Sequence, residues 1–242
     1  MQILALVVSI FLSVPTLAIV GGQLSSDSDR HSQSTVGLST GCTGTLISST
    51  HVLTAAHCIQ PGRPIDIVFG LAFRGSERIA VSDIVVHPGF SGFPSGSTPQ
   101  NPANQPVHDI AVLKMVADAP DGFLPAVVGY EPLLENGDTL LLAGFGQTNP
   151  FTGAGFGRMR FVTTLFNFYN ENALEIVFGP TPGQSACRGD SGGPMYIFRD
   201  NQLHVIGVTS RGFSALGPCS GNGNYTDVQA HLNWIEEVQS EL

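Results

Sequence analysis

The chain has 242 residues and a formal charge of −9, with 12% charged and 42% hydrophobic side chains. It carries no basic run to neutralise phosphates, which argues against a nucleic-acid partner, and its length suits one large all-β domain or two smaller halves. Its 29 glycines and 16 prolines favour many short strands joined by turns.

Residues 1–18 contain no Asp, Glu, Lys or Arg, and residues 4–14 are apolar apart from Ser9 and Ser13. Small residues at Thr16 and Ala18 then complete the pattern of an export signal, and the apolar run is too short to span a bilayer comfortably. Export implies an oxidising compartment, where four cysteines read as two disulfides. Three pairings are open. The expectation is Cys42–Cys58 with Cys187–Cys219, each pair bracketing a segment that carries chemistry. Close Cys-x-x-Cys spacing of a zinc site is absent, and loop 70–82 holds Glu77 as its one acid, too few oxygens for calcium. No metal or cofactor is expected.

Short strands are expected over 36–38, 44–48, 51–54, 65–69, 79–86 and 110–115. The Pro/Gly/Ser/Asn-rich stretch 89–106 reads as an irregular surface loop, and 118–133 as a segment crossing between two halves. A second strand set is expected over 139–144, 160–165, 174–178, 194–197 and 204–209, with a Gly-rich loop at 149–157. Val228, Leu232, Ile235 and Val238 recur at intervals of four, three and three, which predicts an amphipathic helix over 227–242.

Three motifs carry the chemistry: Thr54-Ala55-Ala56-His57-Cys58, Asp109-Ile110-Ala111-Val112-Leu113 and Gly189-Asp190-Ser191-Gly192-Gly193-Pro194. An alcohol becomes nucleophilic when a base takes its proton, and the base needs a carboxylate to fix its tautomer. His108 and His87, one beside Asp109 and one at a strand end, read as ordinary histidines. The order His, Asp, Ser opposes an α/β-hydrolase esterase, whose order is Ser, Asp, His.

With Ile19-Val20-Gly21-Gly22, Gly41-Cys42-Thr43-Gly44-Thr45-Leu46-Ile47 and Gly144-Phe145-Gly146, these motifs resemble the trypsin/chymotrypsin family of serine peptidases from Ile19 to the C-terminal helix. The resemblance implies an all-β fold of two perpendicular six-stranded antiparallel β-barrels with a C-terminal α-helix. The peptidase domain would occupy residues 19–242 after removal of 1–18. It further implies Ser191 as nucleophile, His57 as general base and acid, and Asp109 as its orienter. The backbone N–H groups of Gly189 and Ser191 would form the oxyanion hole. A cut before Ile19 would free an α-ammonium to pair with Asp190. Ala18, the expected signal-cleavage residue, stands where most relatives have Arg or Lys, so export itself is expected to activate the enzyme.

By the same alignment Ser185 lies at the base of the primary pocket, where trypsins place an Asp, and Gly212 and Gly223 line open walls. A neutral pocket for large apolar or aromatic side chains follows. Arg211, standing where the family has Trp, and Arg188 at the pocket mouth raise an alternative preference for acidic residues. Ser210 is expected to hydrogen-bond Asp109 and to meet substrate through its backbone. The expected partners are protein or peptide substrates and protein inhibitors, with no nucleic acid and no membrane. The expected state is a monomer, secreted or, in a bacterium, periplasmic. A catalytically silent relative that binds partners is the competing reading.

Overall fold

The computed structural model describes residues 19–93, 106–131, 133–178, 185–213, 219 and 222–242. The expected export signal and most of the loop at 89–106 lie outside them. In the first half β1 (Gln23–Leu24) and α1 (Arg30–Ser34) lead into β2 (Thr35–Leu38), β3 (Thr43–Leu46), β4 (His51–Thr54), β5 (Asp66–Phe69), β6 (Glu77–Val86) and β7 (Ala111–Met115). The second half holds β8 (Val127–Val128), β9 (Thr139–Gly144), β10 (Arg160–Asn170), β11 (Glu175–Phe178), β12 (Pro194–Arg199), β13 (Gln202–Phe213), β14 (Asn222–Asp227) and α2 (Leu232–Glu241).

Strands β2-β3-β4-β7-β6-β5 close into one antiparallel barrel. Strands β9-β10-β11-β14-β13-β12 form the second, closed where β12 returns to β9 through Met195 opposite Leu142. Strand β1 extends this sheet beside β10, and β8 runs parallel to β13. Closure removes the exposed edges that invite aggregation.

Every residue of β2, β3 and β4 is buried, so their Thr, Gly and His positions lie inside along with the apolar ones and none presents a solvent face. Val36, Leu38, Leu46, Val52, Ile67, Ile110 and Leu113 fill the first barrel, and their cluster continues into Tyr196, Val205, Val208, Ile235 and Val238. The barrels therefore share one apolar body, in which each fully buried aliphatic side chain stabilises by about 1.5–3 kcal/mol. Leu140, Leu142, Val162, Ile176, Phe178, Met195 and Tyr225 form the second interior. Buried Thr35 Oγ1 and Tyr196 Oη meet at 3.1 Å between the two.

The C-terminal helix is shorter than its periodicity suggests. Asp227 ends β14, a 3₁₀ turn occupies Gln229–His231, and α2 begins at Leu232. Strand pairing holds Asp227 opposite Gly207, so the chain must turn before it coils. Ile235 and Val238 are buried as the periodicity requires. Among the described residues no helix is long and apolar enough to cross a membrane.

Candidate active site

Strand β4 delivers His57. After Thr54 the chain stays extended at Ala55 and enters a 3₁₀ turn over Ala56–Cys58, and the disulfide between Cys58 and Cys42 fastens that turn beside the start of β3. Asp109 precedes β7 and is fully buried. A buried carboxylate must have its acceptors filled, and here they are. Oδ1 accepts the His57 backbone N–H at 2.9 Å, and Oδ2 accepts His57 Nδ1 at 2.8 Å and Ser210 Oγ at 2.6 Å. Thr226 Oγ1 donates to the Asp109 carbonyl at 3.0 Å. A carboxylate can only accept, so the Nδ1 of His57 carries the proton and Nε2 keeps a lone pair.

Ser191 sits in a tight loop between the barrels. The Asp190 N–H donates to the Cys187 carbonyl, the Gly193 N–H to that of Asp190, and the Gly192 N–H to that of Thr209. From the first barrel, the Thr43 N–H donates to the Ser191 carbonyl at 2.9 Å. Gly192 has φ +77°, and a Cβ there would overlap Thr54 Oγ1 and the Thr43 carbonyl, so only glycine fits. Cys58 Sγ lies 3.6 Å from the Ser191 carbonyl oxygen and 3.9 Å from His57 Nε2, so the imidazole and the Ser191 loop converge on one sulfur. Among the described residues no hydrogen bond joins His57 Nε2 to the Ser191 hydroxyl.

Gly189 is left-handed at φ +100°. Among the described residues the N–H groups of Gly189 and Ser191 donate to no acceptor, whereas those of Asp190, Gly192 and Gly193 do. Thr43 orients this loop from the opposite barrel: its Oγ1 donates to the Gly189 carbonyl at 2.7 Å and accepts the Phe145 N–H at 3.2 Å. The sequence displayed Thr43 within a motif without indicating this bridging role.

Asp190 is buried, its Oδ1 accepting the Gly146 N–H and its Oδ2 the Cys187 N–H, each at 2.8 Å. A Cβ at Gly144 or Gly146 would strike its carboxylate, which explains the Gly-Phe-Gly motif. Burial pushes the carboxyl up to about 7, with the two N–H donors and Arg160 pulling the other way. Among the described residues no cationic side chain forms an ion pair with it. Ile19 is buried within the second barrel at φ +38°, a strained value for a β-branched residue. Val20 and Ser185 exchange backbone hydrogen bonds at 3.1 and 3.2 Å, tying this segment to the expected pocket base.

Cys187–Cys219 is the second disulfide, so both pairings match the expectation. Ser185 is buried and Arg188 exposed. Gly212 and Gly223 pair across β13 and β14, and a Cβ on Gly212 would meet only the Ala186 carbonyl, at 3.9 Å. Gly223 does not leave the open wall expected of it. A Cβ there would overlap the Phe178 ring, which already occupies that side.

Arg211 does not face water as a free cation. Its two terminal nitrogens bind the carboxylate of Glu175, Nη1 to Oε1 and Nη2 to Oε2 at 2.8 Å. Its guanidinium also stacks over Phe93, 5.7 Å from the ring centroid, and that ring lies 5.8 Å from the His57 ring. Glu175 was legible only as one acid within an apolar strand. Cys42, His57 and Cys58 lie close enough to suggest a metal centre, but the two sulfurs are bonded to each other and offer no thiolate.

The family model described as Trypsin matches residues 19–235. The serine protease snk of Drosophila melanogaster is 30% identical over 226 residues, 82% of this chain and 49% of that protein. Vitamin K-dependent protein C of Mus musculus is 27% identical over 260 residues, 94% of this chain and 53% of that protein. Chymotrypsin-like elastase family member 1 of Bos taurus is 29% identical over 250 residues, 91% of this chain and 89% of that protein. The chain spans about half the length of the first two. With this match covering both barrels, the chain belongs to the trypsin family of serine peptidases.

Proposed function

We propose that the chain is a secreted serine endopeptidase that hydrolyses peptide bonds through an acyl-enzyme on Ser191. His57 Nε2 takes the hydroxyl proton as Ser191 Oγ attacks the scissile carbonyl, then gives it to the leaving amine. Water, deprotonated by the same nitrogen, cleaves the ester and restores the serine. Asp109 holds the imidazole tautomer and steadies its positive charge. The N–H groups of Gly189 and Ser191 receive the oxyanion, where one donor is worth roughly 3 kcal/mol. The single observation that carries the reading is the Nδ1 of His57 against the buried Asp109 carboxylate at 2.8 Å, with Ser210 donating to the same oxygen.

Activation follows from the surroundings of Asp190. A cut between Ala18 and Ile19 creates an α-ammonium and abolishes the strained φ, because that torsion exists only while the preceding peptide is intact. The ammonium then supplies the cation that the buried carboxylate lacks. Removal of residues 1–18 during export performs this cut. N-terminal sequencing of exported protein checks it, and a start other than Ile19 overturns it.

The pocket accepts neutral side chains, because Ser185 places no charge at its base. Phe178 beside Gly223 supports a shallower pocket than one for aromatic residues, favouring apolar side chains of leucine or methionine size. Glu175 neutralises Arg211, which removes one of the two cations behind an acidic preference. Digestion of an unstructured protein with mapped cleavage sites, beside Ser191→Ala, tests activity and specificity together. Labelling by an organophosphorus fluoride separates enzyme from silent binder, since a binder leaves Ser191 unmodified.

A further inference from the structure

Three histidines far apart in sequence meet on the side of the first barrel beneath α2. His87 follows β6, His108 lies just before Asp109, and His231 sits in the turn that precedes α2. One ring nitrogen from each can be chosen so that all three lie within 4.8 Å of one another. We propose that His87, His108 and His231 form a binding site for a divalent transition-metal ion, zinc in the first instance.

The hydrogen bonds sort the nitrogens. His231 Nδ1 lies 2.7 Å from the Asp227 carbonyl, which can only accept, so Nδ1 carries the proton and Nε2 the lone pair. A ligating histidine is commonly oriented in this way, with its second N–H given to a carbonyl. His231 Nε2 lies 2.9 Å from His108 Nδ1, so a single proton bridges the two rings. A metal ion takes the place of that proton. The His108 proton moves to its Nε2, both rings stay neutral, and no net proton is released. Zinc–nitrogen bonds of about 2.0–2.1 Å set two tetrahedral ligands roughly 3.3 Å apart, within the spread that the three rings already show.

His87 supplies the third nitrogen. Its ring stacks on His108 with centroids 4.3 Å apart and is edged by Trp234 at 4.8 Å. Its Nδ1 accepts the Gly89 N–H at 3.0 Å, an exposed bond that water can replace when the ring turns to the ion. A water completes the tetrahedron. Of the surrounding groups, the Asp227 carboxylate is engaged by the Gln229 N–H at 2.9 Å, which leaves nitrogen as the donor type. Imidazole donors suit zinc, copper and nickel and disfavour calcium.

The test uses protein beginning at Ile19 in a His57→Ala background, which removes the imidazole beside Asp109. Calorimetric titration with zinc chloride is expected to show one ion per chain, with affinity about tenfold or more weaker in His87→Gln and in His231→Gln. Binding unchanged in both variants, or none up to millimolar zinc, overturns the proposal. Copper(II) electron paramagnetic resonance reads the ligand set directly and does not depend on variant stability. Nitrogen couplings from three imidazoles are expected in the parent and fewer in His87→Gln; identical spectra overturn it.

Discussion

Asn224 Nδ2 donates to Glu175 Oε2 at 2.9 Å, and that oxygen also receives Arg211. A carboxylate 1% exposed is thereby held by three donors where the family resemblance puts an aromatic side chain on β13. Removing Arg211 strands the charge. Arg211→Ala is expected to cost about 3–5 kcal/mol in urea denaturation, and Arg211→Met with Glu175→Met to recover most of it, because two apolar side chains can replace a buried pair. The same variants leave discrimination between acidic and neutral substrate residues unchanged.

Asp190 gives a pH signature that depends on whether the chain is cut. Before the cut its carboxyl stands near 7, against an ordinary 3.8. The folded state then holds a proton that the unfolded state releases, so stability falls as pH rises across that interval and levels above it. Asp190→Asn is expected to flatten this fall in the uncut chain and raise its melting temperature at pH 8. In the chain starting at Ile19 the same variant is expected to lose the proposed ion pair and, with it, peptidase activity. Thermal scans of both forms across pH make the comparison.

The Phe178 ring fills the side of Gly223 that the proposed pocket would open onto. Phe178→Ala is expected to raise kcat/KM for phenylalanine relative to leucine before the cleaved bond by about tenfold, the scale on which apolar pockets discriminate. Its cost in stability is about 3–5 kcal/mol, so folding is checked by circular dichroism alongside. An unchanged ratio would show that the ring does not limit the pocket.

Thr43 reaches from one barrel to hold the loop of the other. Thr43→Val leaves the Gly189 carbonyl and the Phe145 N–H without their partner and is expected to lower kcat about tenfold to a hundredfold, with KM little changed. Thr43→Ser keeps the hydroxyl and is expected to restore the rate. Single-turnover kinetics on an ester substrate separates this effect from binding.

The strands that the sequence displayed are those with apolar residues at regular spacing: 51–54 and 139–144 match β4 and β9 residue for residue. Strand β14 was invisible because Asn-Gly-Asn-Tyr-Thr-Asp carries no apolar alternation, yet β11 and β13 pair with it on both sides. The hydrogen bonds of Asn224 and Thr226 then satisfy polar groups that composition alone assigns to a loop. Local motifs placed His57 beside Asp109 because short segments bring each to a strand end. Glu175 with Arg211, Phe178 with Gly223 and the three histidines have no local signature, since each pairing is made by barrel closure or by the return of the C-terminal turn.

The proposed triad straddles the shared apolar body: His57 and Asp109 belong to the first barrel, while Ser191 sits in a loop of the second. A ribosome therefore finishes the base and its carboxylate long before the nucleophile is made. Even then, that nucleophile is set only when the barrels have docked. On this reading hydrolytic power is the last property the chain acquires, so a half-folded copy cannot digest its neighbours.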